Sequence, residues 1–333
     1  MVGALLLVLL AGGMNGSFAV PMKYVRGWQW EHTWFIWSVL GMLIFPLAVA
    51  VSTIPALATV YRIAGLEVLA YTALFGVIWG AGTVLFGLGI TRVGLALGFG
   101  IILGTSSSLG TIVPLVMLHP DQLFGPAGRL MIVGVVVVLS GVAACARAGL
   151  LRDKRGAEQF SHSSFKVGLG VCLLSGLASS FMSIGLNEST PISKAAESLG
   201  AAHAVSLNAV WPILLGGGFL VNALYCGFLI IRRNAIAQFL DCATVNVGLV
   251  ITMALLWSGS DFVYSTGAHG MGPLGLVLGW PIFMAAIVLT ANVWGLLTGE
   301  WRNAGRRAVT WAAGGCSLLI LGIWTIALAG SGS

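Results

Sequence analysis

Ten runs of about twenty residues, each nearly free of charge, recur along this 333-residue chain. They fall at about 2–22, 33–53, 67–89, 93–118, 129–148, 166–187, 203–230, 243–265, 273–298 and 308–329. A helix needs ~20 apolar residues to cross a hydrocarbon core, and in lipid the backbone must satisfy its own polar groups. The runs therefore predict an all-α integral membrane protein of ten transmembrane helices, with the lipid bilayer as its solvent. Charged residues make up only 8% of the chain, against about 25% in soluble domains. The net charge of +6 is spread over short loops, which leaves no basic patch for nucleic acid. Five single cysteines in or near apolar runs (Cys145, Cys172, Cys226, Cys242, Cys316) lack metal-ligand spacing and read as small buried hydrophobes. The first run has no positive leader and is followed by further spans, so it reads as a span and not as a secretory signal.

Sidedness follows from Lys and Arg. The loops after spans one, three, five, seven and nine hold thirteen of them, and the other side holds only Arg62, Arg129 and Lys194. The basic loops are expected in the cytoplasm and both termini outside. Trp28, Trp30 and Trp34, just past Lys23 and Arg26, read as aromatic anchors at that interface.

The basic linker 151–165 divides the chain into a first five-span unit, 1–150, and a second, 166–333. "GMNGSF" (13–18) echoes "GLASSF" (176–181), and "GLALGF" (94–99) echoes "GLVLGW" (275–280), each pair in corresponding spans. Five is odd, so two such repeats enter the membrane with opposite orientation. Inverted repeats of this kind belong to secondary transporters, which bind near the midplane and alternate access.

The stretch "NGSFAVPMKYVRGWQWE" (15–31) resembles the opening motif of the L-rhamnose–proton symporter family, within the drug/metabolite transporter superfamily. The resemblance continues through "WGAG" (79–82), "RVGLALGFGI" (92–101), Gly110, Thr111, Pro114 and "RAG" (147–149) to "GEWRNAGRR" (299–307), nearly the full chain. It implies a ten-span bundle of two inverted five-span repeats, a cavity lined by spans one, three, four, six, eight and nine, and proton-coupled uptake of a deoxyhexose. "WSGSDFVYSTG" (257–267) and "AHGMGPLGLVLGWP" (268–281) depart from the family pattern, which leaves the sugar open.

A pyranose presents hydroxyls and an apolar face, so its site needs amide or hydroxyl partners and an aromatic plate. Asn15 and Ser17, set among glycines, can face a cavity or hydrogen-bond another helix, and Pro21 can bend the span near its basic end. Trp79, Trp257 and Trp280 are the tryptophans nearest mid-span on the spans that the resemblance points to; Tyr264 falls on the helix face of Trp257. Asn187, Asn246 and Asn292 are further polar candidates. Among the acids, Glu31, Asp153, Glu158, Asp241 and Glu300 belong to basic loops, and Glu31 and Glu300 can brace a cytoplasmic gate against Lys23 or Arg306. Asp261 differs: no Lys or Arg occurs between Arg233 and Arg302. An acid that is neutral when buried and ionised in water is what proton symport requires, and Asp261 is the first candidate, Glu188 the second. One charge crossing 100 mV is worth about 2.3 kcal/mol, which at ~1.4 kcal/mol per tenfold sustains roughly fifty-fold accumulation of a neutral sugar.

No cofactor is expected, since no G-x-x-x-x-G-K-[ST] loop occurs. H-E-x-x-H and G-x-S-x-G are likewise missing, and His119, His203 and His269 stand singly, which weighs against an intramembrane enzyme and a metal site. The remaining alternative is an exporter or exchanger of another small metabolite. A charged substrate would call for a mid-span cation, and none is found, so the expected partners are a small neutral sugar and a proton.

Overall fold

The computed structural model describes residues 2–93, 95–118, 120–122, 125–152, 162–299, 301–302 and 304–331. Its α-helices are α1 (Val2–Ser17), α2 (Trp30–Ser38), α3 (Phe45–Thr53), α4 (Leu57–Ala64), α5 (Leu66–Val93), α6 (Leu95–Leu118), α7 (Pro126–Arg152), α8 (His162–Glu188), α9 (Thr190–Ser198), α10 (Trp211–Arg232), α11 (Ala243–His269), α12 (Gly275–Leu297) and α13 (Arg306–Ser331). Among the described residues ten helical stretches are long and apolar enough to cross a membrane, and each overlaps one of the ten runs read from sequence. The chain is a multi-pass membrane protein.

Local breaks have sequence causes. α1 stops at Ser17, and Pro21 opens a 3₁₀ turn, Pro21–Tyr24, before the basic loop. The second span joins α2 to α3 through a π-helical turn, Val39–Ile44, in which the Phe45 N–H bonds back to the Leu40 carbonyl. Pro46 follows directly; it has no N–H to close the ladder, so the turn widens where the helix can least hold its register.

Helices meet through small residues. α7 lies along α13, and α5 lies between α8 and α10. At the α5–α10 crossing a Cβ on Gly76 would stand 1.8 Å from the Leu214 carbonyl oxygen, and one on Gly217 would stand 2.2 Å from that of Ala73. Only glycine permits this approach, which is how helices gain contact in lipid.

Neighbour relations recur when each span is replaced by the one five places on. α1 packs on α11 and α12 as α8 packs on α5 and α6; α2 packs on α11 as α10 packs on α5; α6 meets α7 as α12 meets α13.

The two ends differ. At the basic end, among the described residues, Asn246 holds both the N–H and the carbonyl of Arg26, and Arg233 pairs with Glu31. At the other end α4 packs on α9, and α9 on the 3₁₀ segment His203–Ala209, which in turn contacts α3 and α11. This layer is a cap, tied by Tyr61 Oη to the Ala209 carbonyl (3.1 Å) and by Asn208 Nδ2 to Thr53 Oγ1 (3.0 Å). Beneath it α12 is buried at every position from Gly275 to Ala286, whereas beyond that only Val288 and Gly295 are.

Candidate functional site

α11 organises the interior. Trp257, Asp261 and Tyr264 follow at helical spacing on one face, and all three are buried. Each flank of that face is tied to a different helix. Asn15 of α1 donates from Nδ2 to Ser260 Oγ at 3.0 Å. Trp211 at the start of α10 donates from Nε1 to Ser265 Oγ at 2.8 Å, and Ser265 donates to the Asp261 carbonyl oxygen. Tyr264 donates its hydroxyl to the Leu276 carbonyl at 3.0 Å and packs against Trp280 and Phe283 of α12.

Asp261 itself is 3% exposed, and its Oδ2 has no hydrogen-bond partner among the described residues. No basic residue stands near it in sequence, and the ion pairs resolved lie elsewhere, at Glu31 and Glu197. A buried polar atom without a partner ordinarily costs about 1–3 kcal/mol.

An aromatic group stands toward the basic end from this carboxyl. Trp257 stacks on Trp79 of α5 at 5.8 Å and 17°, and meets the edge of Trp37 of α2 at 4.8 Å and 69°. Trp37 continues to Phe18, the residue after α1 in the first span, at 5.7 Å and to Trp34 at 4.4 Å. Four spans thus converge on one aromatic cluster beside one buried acid. Trp280 belongs to a separate cluster one turn nearer the cap, with Tyr264 and Phe283.

Several expected residues are thereby brought together: Asn15 beside Asp261, Trp257 with Trp79 one turn toward the basic end, and Tyr264 with Trp280 one turn toward the cap. Asn187 is not among them; its Nδ2 donates to the Ser183 carbonyl of its own helix. Glu188 is half-buried at the cap end of α8, where its carbonyl accepts the Tyr71 hydroxyl. Ser17 ties α1 to α12 by accepting from Trp294 Nε1 at 2.8 Å.

Three expectations are corrected. Glu31 pairs with Arg233, the residue after α10, and not with Lys23 or Arg306; Lys23 also donates to Thr298 Oγ1 at 3.5 Å, and Arg306 opens α13 exposed to solvent. The pairing follows from packing, because the start of α2 lies against α10. Trp34 is not an interfacial anchor: its Nε1 donates to Asn222 Oδ1 inside the bundle at 3.0 Å, and Asn222 also accepts from Thr83 at 2.9 Å. His203 and His269 do not stand singly; their rings stack at 4.3 Å and 13°, with His203 Nδ1 on Glu197 at 2.7 Å. Glu300, Asp153, Glu158 and His119 lie outside the described residues.

Sequence reasoning passed over Trp37, Ser260 and Asn222. Trp37 had a signal: Trp30, Trp34 and Trp37 recur at i, i+4 and i+7, the spacing of one helix face. Ser260 had none beyond adjacency to Asp261.

The chain is similar to known proteins along nearly its whole length. The family model described as L-rhamnose-proton symport protein matches residues 1–332. Relatives named L-rhamnose-proton symporter include those of Escherichia coli (strain 55989 / EAEC) and Citrobacter koseri, each 29% identical over 321 residues, which span 94% of this chain and 93% of the relative. The protein of the same name from Shigella boydii serotype 18 is also 29% identical over the same span. This chain belongs to the L-rhamnose–proton symport protein family.

Proposed function

We propose that the protein takes up a neutral deoxyhexose, L-rhamnose or a close relative, together with a proton, across the bacterial inner membrane. Asp261 carries the reading: a buried carboxyl with one oxygen unpartnered, beside a polar bridge and an aromatic cluster built from four spans. A carboxyl there crosses the low-dielectric interior as a neutral acid and releases its proton where water reaches it. The cation-free middle of the described spans suits an uncharged solute. Asn15 offers the sugar a polar partner, while Trp257 and Trp79 offer an aromatic plate. Tyr264 and Trp280 close the site toward the cap. Asp261 rather than Glu188 carries the proton, because Glu188 sits at the cap end, only half-buried.

The two five-span units are inverted repeats in this reading, supported by the neighbour relations that recur at a shift of five. The basic loops face the cytoplasm and both termini the periplasm, by the charge asymmetry. Glu31 with Arg233 then braces the cytoplasmic side, and the layer of α4, α9 and the 203–209 turn forms the periplasmic side. Alternating access rocks one repeat against the other around Asp261.

The test is proton movement driven by the sugar. L-rhamnose added to lightly buffered proteoliposomes should alkalinise the external medium as protons enter with it. Sugar entry without any pH change, or no entry at all, contradicts the proposal.

A further inference from the structure

The cap carries a cluster of titratable groups that the transport reading leaves unused. His203 opens the 3₁₀ segment, His269 ends α11, and Glu197 lies near the end of α9. The two imidazoles stack at 4.3 Å and 13°. Their hydrogen bonds fix where the protons sit. A carbonyl oxygen only accepts, so His269 Nδ1 carries the hydrogen in its 2.7 Å contact with the His203 carbonyl. His203 Nδ1 in turn donates to Glu197 Oε1 at 2.7 Å, and the Ser206 hydroxyl donates to the same oxygen at 2.8 Å. In each ring Nε2 is therefore the nitrogen left to take up a proton.

The cluster suits one such proton and not two. An imidazolium at His203 lies against the Glu197 carboxylate, which balances its charge. A second at His269 adds a like charge at the 4.3 Å of the stack, and no second anion meets it. Of the elements packed on the pair, α3 has no charged residue, and α10 has Tyr225, Cys226 and Arg232 in its half toward the basic end. Asp261 of α11 lies about two turns deeper. Lys194 of α9 and Arg62 of the neighbouring α4 are exposed and positive, and Arg62 turns along its own helix to Thr59. The phenols of Tyr61 and Tyr264 donate to carbonyls elsewhere.

This pair fastens the cap over the buried acid. The stretch from His203 to Trp211 is held on α11 at two levels, by His269 on the His203 carbonyl and by Ser265 on Trp211 Nε1. Ser265 itself bonds the Asp261 carbonyl, so the histidines are the outer of the two fastenings. We infer that Glu197, His203 and His269 form a proton-operated latch: it holds the cap while the imidazoles share at most one proton, and releases it when both are protonated, opening the cap side toward Asp261. The inference deepens the proposed function by giving the proton a first place of action, and it rests on that reading for its purpose.

The experiment is hydrogen–deuterium exchange of the purified protein without sugar, from about pH 8 to about pH 5, the range in which imidazoles take up protons. Rates are corrected for the intrinsic pH dependence of amide exchange. In native protein the amides of α9 and the 203–209 turn should exchange roughly tenfold faster at the acid end. His203→Phe keeps a ring in the stack and the backbone carbonyl that His269 uses, but leaves one imidazole, so its exchange should not change with pH. Glu197→Gln removes the balancing charge and should release the cap at a higher pH than native. Native exchange that ignores pH, an acid response kept in full by His203→Phe, or an unshifted response in Glu197→Gln would each overturn the latch. Because no sugar is present, any of these leaves sugar transport standing. Failure of L-rhamnose to move protons in proteoliposomes would instead remove the transport reading and leave the exchange result intact.

Discussion

Asn15 near the end of α1 and Ser260 in the middle of α11 are 245 residues apart in sequence and share a 3.0 Å hydrogen bond. The bond places a polar contact between the first and eighth spans one residue from Asp261. A movement of α1 against α11 must break or carry this bond.

Asn15→Ala should lower sugar uptake more than Ser260→Ala, since the amide retains free hydrogen-bonding capacity for a ligand and the serine also bonds within its own helix. The interhelical bond by itself is worth on average ~0.6 kcal/mol in a bilayer. A double-mutant cycle on thermal unfolding in detergent should return a coupling of about that size. A much larger loss of stability in Asn15→Ala alone would make the residue structural.

At the basic end Glu31 is 4% exposed as a side chain and its partner Arg233 55%. Removing Arg233 strands a buried carboxylate, whereas Glu31→Gln removes the charge that needs a partner. Arg233→Ala should therefore destabilise the protein by about 1–3 kcal/mol, below the 3–5 kcal/mol of a fully buried pair because the guanidinium is largely solvated. Adding Glu31→Gln to Arg233→Ala should restore part of the loss. Melting temperatures of the three variants decide the point, and equal losses in both single variants would contradict it.

Close approach at the α5–α10 crossing gives a stark expectation. Gly217→Ala puts a methyl 2.2 Å from the Ala73 carbonyl, so the helices must separate. Gly227→Ala, on the same helix with nothing within 4 Å, is the control. The first should lose most folded protein by gel filtration, and the second should elute like the native chain.

The cap end holds the stacked His203 and His269, and His269 Nδ1 also lies 2.7 Å from the His203 carbonyl oxygen. His269→Ala removes both the stack and this bond, and should release the 203–209 turn and α9. Exposed Lys194 on α9 then becomes a faster site of tryptic cleavage, several-fold above native, with His269→Phe intermediate. Cleavage unchanged in His269→Ala would mean that the contacts of Asn208, Tyr61 and Glu197 hold the turn without the histidine pair.

The ten spans were legible because a bilayer imposes both length and apolarity on every crossing helix, and this chain carries almost no other text. Asp261 was legible for the related reason that a lone acid in such text stands out. Trp37 was passed over although it shares a helix face with Trp30 and Trp34, because what it meets, Trp257 of the eighth span, is set only by tertiary packing. The Glu31 partner was missed because charge proximity along the chain favoured Lys23, while packing of α2 on α10 brings up Arg233. The histidine pair was missed for the same cause: residues 203 and 269 meet only once the segment before α10 folds over the end of α11.

The most direct measurement compares native protein with Asp261→Asn in proteoliposomes, following labelled L-rhamnose in two modes. Asparagine keeps the shape of the side chain and cannot exchange a proton. The account predicts that accumulation driven by an inward proton gradient is lost in the variant while counterflow exchange at equal sugar and pH is retained. Gradient-driven accumulation that survives Asp261→Asn would contradict the claim that this buried carboxyl carries the coupled proton.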